Sequence, residues 1–337
     1  MSTRRCTFKS IQRLLVHRRY YSLWTRPHAF PTEKEQQLLP QLYDFSPRTI
    51  QDIITPSRIA LLDLTLSPYL PEFPPPTTLS SSSSLYPGYH FVFFPTSTSE
   101  QDTLEDGYEK HFAPKHPYAR RLWVSGRLEF SGTGLAVGQA ASCGEEISGI
   151  SAEKDRWTTV TIRRKMFTTG GGHTPNNYVQ ETRTLRYLRD TSIRNKPVQV
   201  LDKTHVIRNW KDEKLLVDHT FTPTRTLLAR FSFLTYNFHR IHLDKEYAYN
   251  IEEWPDLVVH GNLSVVFVLA AIRKYYESKG DDFRIQNVKY MMLRPLIVDQ
   301  PARLTITKMT NSRKRAILWN QKEGGKAVEV IINHNSM

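Results

Sequence analysis

Between Gly261 and Gly280 the chain gives up any alternation of apolar and polar residues. Leu263, Val265, Val266, Phe267, Val268, Leu269, Ala270, Ala271 and Ile272 are apolar on every side of a helical wheel, which predicts a helix buried all round. The valines would also suit a strand. The pattern, however, continues through Arg273, Tyr275 and Glu277 to Gly280, well past the length of a typical strand. Gly280 beside Lys279 is a suitable helix stop. Four strands are expected next, at residues 283–293, 302–309, 314–320 and 326–333. In them Leu304 and Ile306 alternate with Arg303, Thr305 and Thr307, and Val328, Val330 and Ile332 flank Glu329. One buried helix followed by an antiparallel meander is an α+β layout, with the sheet wrapped around the helix.

The same reading of the first half predicts a polar helix over residues 32–52 and a short apolar run from Ile59 to Leu66. Strands are expected at residues 86–95, 120–130, 145–150, 157–165 and 178–188, and another at 226–234 just before the second half. Proline and serine clusters between residues 71 and 85 mark a low-complexity surface loop, and Gly170-Gly171-Gly172 marks a turn. There is a faint internal repeat. Gly134 to Gln139 precedes a Thr-rich strand, as Pro295 to Gln300 precedes Leu304-Thr305-Ile306-Thr307. The expected units are an N-terminal one at 22–190, a connection at 191–224 and a C-terminal one at 225–337.

Charge separates off the front of the chain. Residues 1–32 hold seven Lys and Arg and no acid, so of a net charge of +13 the remainder keeps +6. Phe8, Ile11, Leu14 and Leu15 would give a helix one apolar stripe, the composition of a mitochondrial transit peptide. Arg19-Tyr20-Tyr21-Ser22 fits matrix processing after Tyr21, so residues 1–21 are read as a leader and the mitochondrial matrix as the destination. Cys143 is the one cysteine beyond the leader, so an internal disulfide is excluded and a reducing compartment expected. No run approaches the ~20 apolar residues of a membrane-spanning helix.

The chemistry concentrates at Phe233 to Gly261. Asn237, His239, His242 and Asp244 form a polar cluster suited to proton transfer, and His260-Gly261 opens the buried helix. His239 and His242 could alternatively be polar residues at a strand end, and His239, His242 and Asp244 could supply metal ligands, although no fourth ligand is evident. His260 is read as a helix cap. His90, His111, His116 and His173 stand apart from other useful groups and are read as structural or solvated.

From Tyr86 onward the chain resembles the hotdog-fold dehydratases and hydratases of the MaoC type, and among them the hydroxyacyl-thioester dehydratase type 2 group and the mesaconyl-CoA hydratases. The resemblance rests on Pro87-Gly88-Tyr89-His90, Phe93-Phe94-Pro95, Arg120 to Trp123 and Gly126 to Phe130. In the second half it rests on Thr235 to Asp244 and Leu257 to Gly261. It implies a double hotdog, two antiparallel sheets each wrapped around a long central helix, with a degenerate first unit shaping the acyl tunnel and a catalytic second one. The family motif Asp-x-Asn-x-x-His places its histidine at His242. Asn237 stands at the aspartate position and His239 at the asparagine position, which leaves the carboxylate's role open among Asn237, His239 and Asp244.

The resemblance implies a (3R)-3-hydroxyacyl-thioester dehydratase of mitochondrial type II fatty acid synthesis that needs no cofactor. His242, with a pKa near neutrality, is expected as general base, and the Gly261 N–H as donor to the thioester carbonyl. The partner is an acyl thioester on acyl carrier protein or CoA, met by a basic rim drawn from Arg240, Arg273, Lys274 or Arg294. No nucleic acid and no membrane span are expected, and a homodimer is possible. The alternatives are a hydratase of the enoyl-CoA or mesaconyl-CoA kind and, in another class, a non-catalytic RNA- or ribosome-binding hotdog protein.

Overall fold

The computed structural model describes residues 32–70, 83–96, 98–115, 118–153, 157–169, 177–189, 214–281, 283–322 and 324–336. The expected leader, most of the low-complexity loop, the Gly170–Gly172 turn, His116 and His173 lie outside the described residues.

Ten strands form one antiparallel sheet. They are β1 (Arg48–Ile53), β2 (Tyr118–Ser131), β3 (Ala140–Glu153), β4 (Trp157–Thr168), β5 (Tyr178–Arg189), β6 (Lys214–Phe221), β7 (Phe283–Met292), β8 (Ala302–Thr310), β9 (Arg313–Asn320) and β10 (Gly325–Ser336). Their order is β1-β3-β4-β5-β2-β7-β10-β9-β8-β6. Read outward from the centre, the two halves have the same internal order, so the sheet is two copies of one five-stranded unit joined edge to edge at β2 and β7. The short repeat in the sequence falls at equivalent places. Ala136 bridges Ser84 just before β3, and Ile297 bridges Val258 just before β8.

Besides the single turn at Glu33–Gln36, the helices among the described residues are α1 (Pro56–Leu66), α2 (Arg225–Thr235), α3 (Lys245–Asn250) and α4 (Gly261–Glu277). Twelve of the 17 residues of α4 are buried, which is why no apolar stripe shows in its sequence. It packs on β6, β7 and β10. Each large apolar side chain it buries contributes roughly 1.5–3 kcal/mol.

Among the described residues, the first unit shows no helix as long as α4, against the expectation of a long helix in each unit. Where the first unit would carry a counterpart of α4, residues Tyr89–Val92 form one 3-10 turn entered through Gly88 at φ 90°. That turn replaces the strand expected at residues 86–95. Its aromatic side chains fill the space instead, with Tyr89, Phe93 and Phe94 almost fully buried. Residues 226–234 are helical rather than a strand. Thr224 caps the helix by accepting the Leu227 N–H at 3.2 Å, and Leu227, Leu228, Phe231 and Ser232 share its buried face. Residues 32–52 hold one helical turn (Glu33–Gln36), a 3-10 turn and β1 rather than a continuous helix. The stretch read as a connection contains β6, which closes the outer edge of the second unit.

The seam between the units is narrow. Ser125 to Glu129 of β2 pair with Met291 to Asn287 of β7. At its centre a Cβ on Gly126 would collide with the Tyr290 ring and stand 2.7 Å from the Thr182 carbonyl oxygen. Tyr290 is fully buried and has no free space to move into. Gly126→Ala is therefore expected to cost about 1–3 kcal/mol of stability as an overpacking change, seen as a lower unfolding midpoint in urea.

Candidate active site

The segment linking α2 to α4 is held by backbone bonds to both units. The Asn237 N–H donates to the Ser232 carbonyl at 3.0 Å, ending α2. The Arg240 N–H donates to the Asp106 carbonyl at 2.7 Å, and the Val258 N–H to the Ile241 carbonyl at 2.9 Å. Asp106 belongs to the first unit, so the catalytic segment is clamped across the two halves. Gly107 makes this approach possible. It sits at φ +79°, and a Cβ there would collide with the Phe238 carbonyl oxygen.

Arg240–His242 form a 3-10 turn that turns His242 inward. Its Nδ1–H donates to the Val258 carbonyl oxygen at 2.7 Å. A carbonyl can only accept, so this bond fixes the tautomer and leaves the Nε2 lone pair for chemistry. The ring stacks on His260, with centroids 3.7 Å apart and planes at 21°. His260 Nε2 is bonded to the Ser232 hydroxyl at 2.8 Å. Burial, and then the neighbouring His239, lower the His242 pKa to about 3. Burial and His242 also push His260 well below the usual histidine range. The expectation of a base titrating near neutrality is thus corrected: the imidazole is held neutral by desolvation.

This has a consequence for acid stability. The unfolded chain takes up a proton at each histidine near pH ~6.5, while the folded chain does not until much lower pH. Stability is therefore full above ~6.5 and falls as pH drops, by up to ~1.4 kcal/mol per pH unit for each buried neutral histidine. For His242 the loss runs down to about pH 3. Melting temperature followed from pH 7.5 to 4.5 should fall steeply below ~6.5, and less steeply in His242→Asn.

A cavity of about 180 Å³ opens beside His242. Asn237, His239, His242 and Gly261, four of the five residues singled out from the sequence, line it. The Asn237 side-chain oxygen accepts the His239 backbone N–H at 3.1 Å, leaving its amide group for the cavity. Gly261 is the first residue of α4, so its N–H has no acceptor within the helix and sits at the positive end of the helix dipole. The side chain it lacks leaves space bounded by Met292, whose Cε would stand 3.4 Å from a Cβ.

Asp244 is the exception. It caps α3 by accepting the Tyr247 N–H at 3.0 Å and pairs with Arg240 at 2.7 Å on the surface. With Asp244 turned away, His239, His242 and Asp244 do not converge on a metal position. The basic rim also differs from expectation. Arg294 lines the cavity, but Arg240 pairs with Asp244, Arg273 lies near Asp63 and Tyr89, and Lys274 pairs with Glu277. Arg120, Arg121 and Arg183 from the first unit line the cavity as well.

The first unit supplies the apolar wall through Leu122, Val124, Leu185 and Leu188, which face the polar groups of the second unit. Several lining or supporting residues were not singled out as site residues from the sequence, among them Asp106, Tyr108, Arg121, Ser232, Glu252 and Asn262. Asp106, Tyr108 and Arg121 are distant in sequence from the rest, and the pairing of β2 with β7 and the clamp at Gly107 bring them in.

Comparison with known proteins agrees with this arrangement. A family model described as hydroxyacyl-thioester dehydratase type 2 matches residues 88–298. The mitochondrial hydroxyacyl-thioester dehydratase type 2 of Schizosaccharomyces pombe is 30% identical over 289 residues, 78% of this chain and 90% of that protein. Mesaconyl-C(4)-CoA hydratase of Chloroflexus aurantiacus is 30% identical over 218 residues, 63% of this chain and 74% of that protein. Among solved structures, a MaoC-like dehydratase from Phytophthora capsici aligns over 88% of this chain and 98% of its own, with a TM-score of 0.59 at 13% identity. A Mycobacterium tuberculosis protein with a double hotdog fold aligns over 89% and 98%, with a TM-score of 0.54 at 10% identity. The repeated five-stranded unit, the cavity between the copies and the extent of the family match together establish that this chain belongs to the hydroxyacyl-thioester dehydratase type 2 family of hydro-lyases.

Proposed function

We propose that the chain dehydrates (3R)-3-hydroxyacyl thioesters to trans-2-enoyl thioesters in the mitochondrial matrix, as a step of type II fatty acid synthesis. One observation carries the reading. A histidine with its Nδ1 tied to a carbonyl lines the same cavity as Gly261, the first residue of α4. Nε2 of His242 takes the C2 proton. Negative charge then builds on the thioester carbonyl oxygen, where the Gly261 N–H stabilises it; a donor of this kind is worth roughly 2.7–4 kcal/mol in comparable sites. Asn237 and His239 handle the 3-hydroxyl as it leaves.

Desolvation makes His242 a weak base before substrate binds, but the enolate supplies a negative charge beside the imidazolium as it forms. The apolar wall from Leu122 to Leu188 suits an acyl chain. Both units of one chain line the cavity, so the site does not require a homodimer. The acyl group is carried on acyl carrier protein or CoA. The leader composition and the mitochondrial relatives support the location.

A second reading, hydration of a short dicarboxylic enoyl-CoA, is favoured by the four arginines around the cavity and by the Chloroflexus relative. Purified protein lacking residues 1–21 should interconvert straight-chain 3-hydroxyacyl and enoyl thioesters, followed by enoyl absorbance. Preference for a mesaconyl-type substrate over all straight chains would select the second reading. Absence of activity on every thioester would refute both.

A further inference from the structure

Two buried polar atoms next to the cavity face each other without a hydrogen bond to either. His239 Nε2 and Glu252 Oε1 are both sealed from solvent and unpartnered, and they lie 3.4 Å apart. Buried polar groups in folded proteins are nearly always satisfied, so such a pair marks a contact that another state completes. The Glu252 side chain is fully buried, and its other oxygen accepts the Trp254 indole N–H at 3.1 Å. Among the described residues, His239 is the one basic group within 4 Å of Glu252. A second carboxylate, Asp106 of the first unit, lies 3.6 Å from the same His239 nitrogen. Asp106 is itself held by Arg121 at 2.9 Å. Burial pushes its carboxyl up, but Arg121 and His239 more than offset this and keep it ionised.

Among the described residues, His239 Nε2 is the basic nitrogen that faces this carboxylate oxygen, so a proton on Nε2 points at Glu252. With Nε2 turned toward the carboxylates, Nδ1 is the nitrogen left for the cavity that His239 lines. We propose that Glu252, assisted by Asp106, is a positioning residue that holds His239 as the proton donor to the substrate's 3-hydroxyl. The inference rests on the dehydratase reading above.

The step balances as follows. His242 Nε2 accepts the C2 proton, and the C2–H electron pair becomes the C2–C3 double bond by way of the enolate. The C3–O pair leaves with oxygen, which takes the Nδ1 proton of His239 and departs as water. His239 is then neutral and keeps its Nε2–H toward Glu252. The proton on His242 returns to His239 through water. Catalytic hydrogen bonds are often long in the ligand-free state, and substrate is expected to draw the 3.4 Å pair together.

The test separates elimination from deprotonation. Exchange of the C2 protons of a saturated acyl-CoA in D2O needs the base and the carbonyl donor but no leaving hydroxyl. Glu252→Gln is expected to lower kcat for dehydration of the matching 3-hydroxyacyl-CoA by about 10²-fold, within the range of a general acid. It should leave C2 exchange within about twofold of wild type. Loss of both reactions in parallel would mean that Glu252 only supports the fold, and retention of both would mean that it has no role; either overturns the proposal. Wild type that exchanges C2 protons but never dehydrates would instead refute the functional reading on which it rests.

Discussion

His242→Ala is expected to lower kcat/KM for dehydration by about 10²–10⁴-fold, the usual contribution of a general acid or base. The loss should appear in kcat, because the imidazole acts on the C2 proton in the transition state and adds little to binding of the ground state. The substitution also removes the ring from the His260 stack and frees the Val258 carbonyl, so a modest loss of stability accompanies it. A melting curve measured on the same sample separates the two effects. His242→Asn is the stricter variant, since its amide can still donate to Val258 while offering no basic nitrogen. Equal activity of His242→Asn and wild type would rule out this histidine as the base.

The largest effect on stability is expected at Glu181→Ala, behind the cavity-lining Arg183. Glu181 is fully buried within the first unit and bonded to Arg183 at 2.6 Å and Arg164 at 3.1 Å. Arg164 also pairs with Glu145, which Arg48 reaches at 2.6 Å while its other nitrogens hold Glu109. Burial alone would raise the Glu181 pKa, yet Arg183 and Arg164 hold it down at about 2. Alanine leaves two guanidinium groups buried without their shared anion, which costs about 3–5 kcal/mol. A simple loss of packing would not depend on pH, whereas this loss does. The stabilisation from Glu181 is fully present above the unfolded carboxylate pKa of ~4.3 and fades as pH falls toward about 2, so wild type and variant should converge in acid. Urea unfolding at pH 7 and near pH 2.5 tests both statements. A shift under ~1 kcal/mol at pH 7 would show that the cluster is solvated and dispensable.

The second unit was legible because its signals are local. A helix buried on all sides shows as an unbroken apolar run, and its meander shows as alternation bounded by Gly280 and Gly324-Gly325. Asn237, His239, His242 and Gly261 are close enough in sequence to be read as one group, and the cavity gathers them. Residues 226–234 misled because Leu227, Ala229, Phe231 and Phe233 fall on alternate positions, as on one face of a strand. The Thr224 cap and the spacing of the buried residues settle them as a helix.

Asp244 misled for a similar reason. An acid two residues after a histidine can serve chemistry or cap a helix, and only the position of Tyr247 N–H decides between them. The first unit hid more. Arg164 lies between Arg163 and Lys165, Glu145 between Gly144 and Glu146, and Glu181 between Gln180 and Thr182, so all three look solvated, but they neutralise one another inside. Glu252 and Asp106 meet His239 from opposite halves of the chain, and no local pattern could pair them. The low pKa of His242 is likewise a product of burial, which composition does not reveal.

The central claim is that His242 moves the C2 proton of an acyl thioester in the cavity between the two units. The most direct measurement is hydration of a trans-2-enoyl thioester in D2O, with the product examined by NMR. The account predicts one deuterium at C2 and a 3R hydroxyl with the wild-type protein, and no incorporation above background with His242→Asn. Incorporation by His242→Asn at the wild-type rate would contradict it.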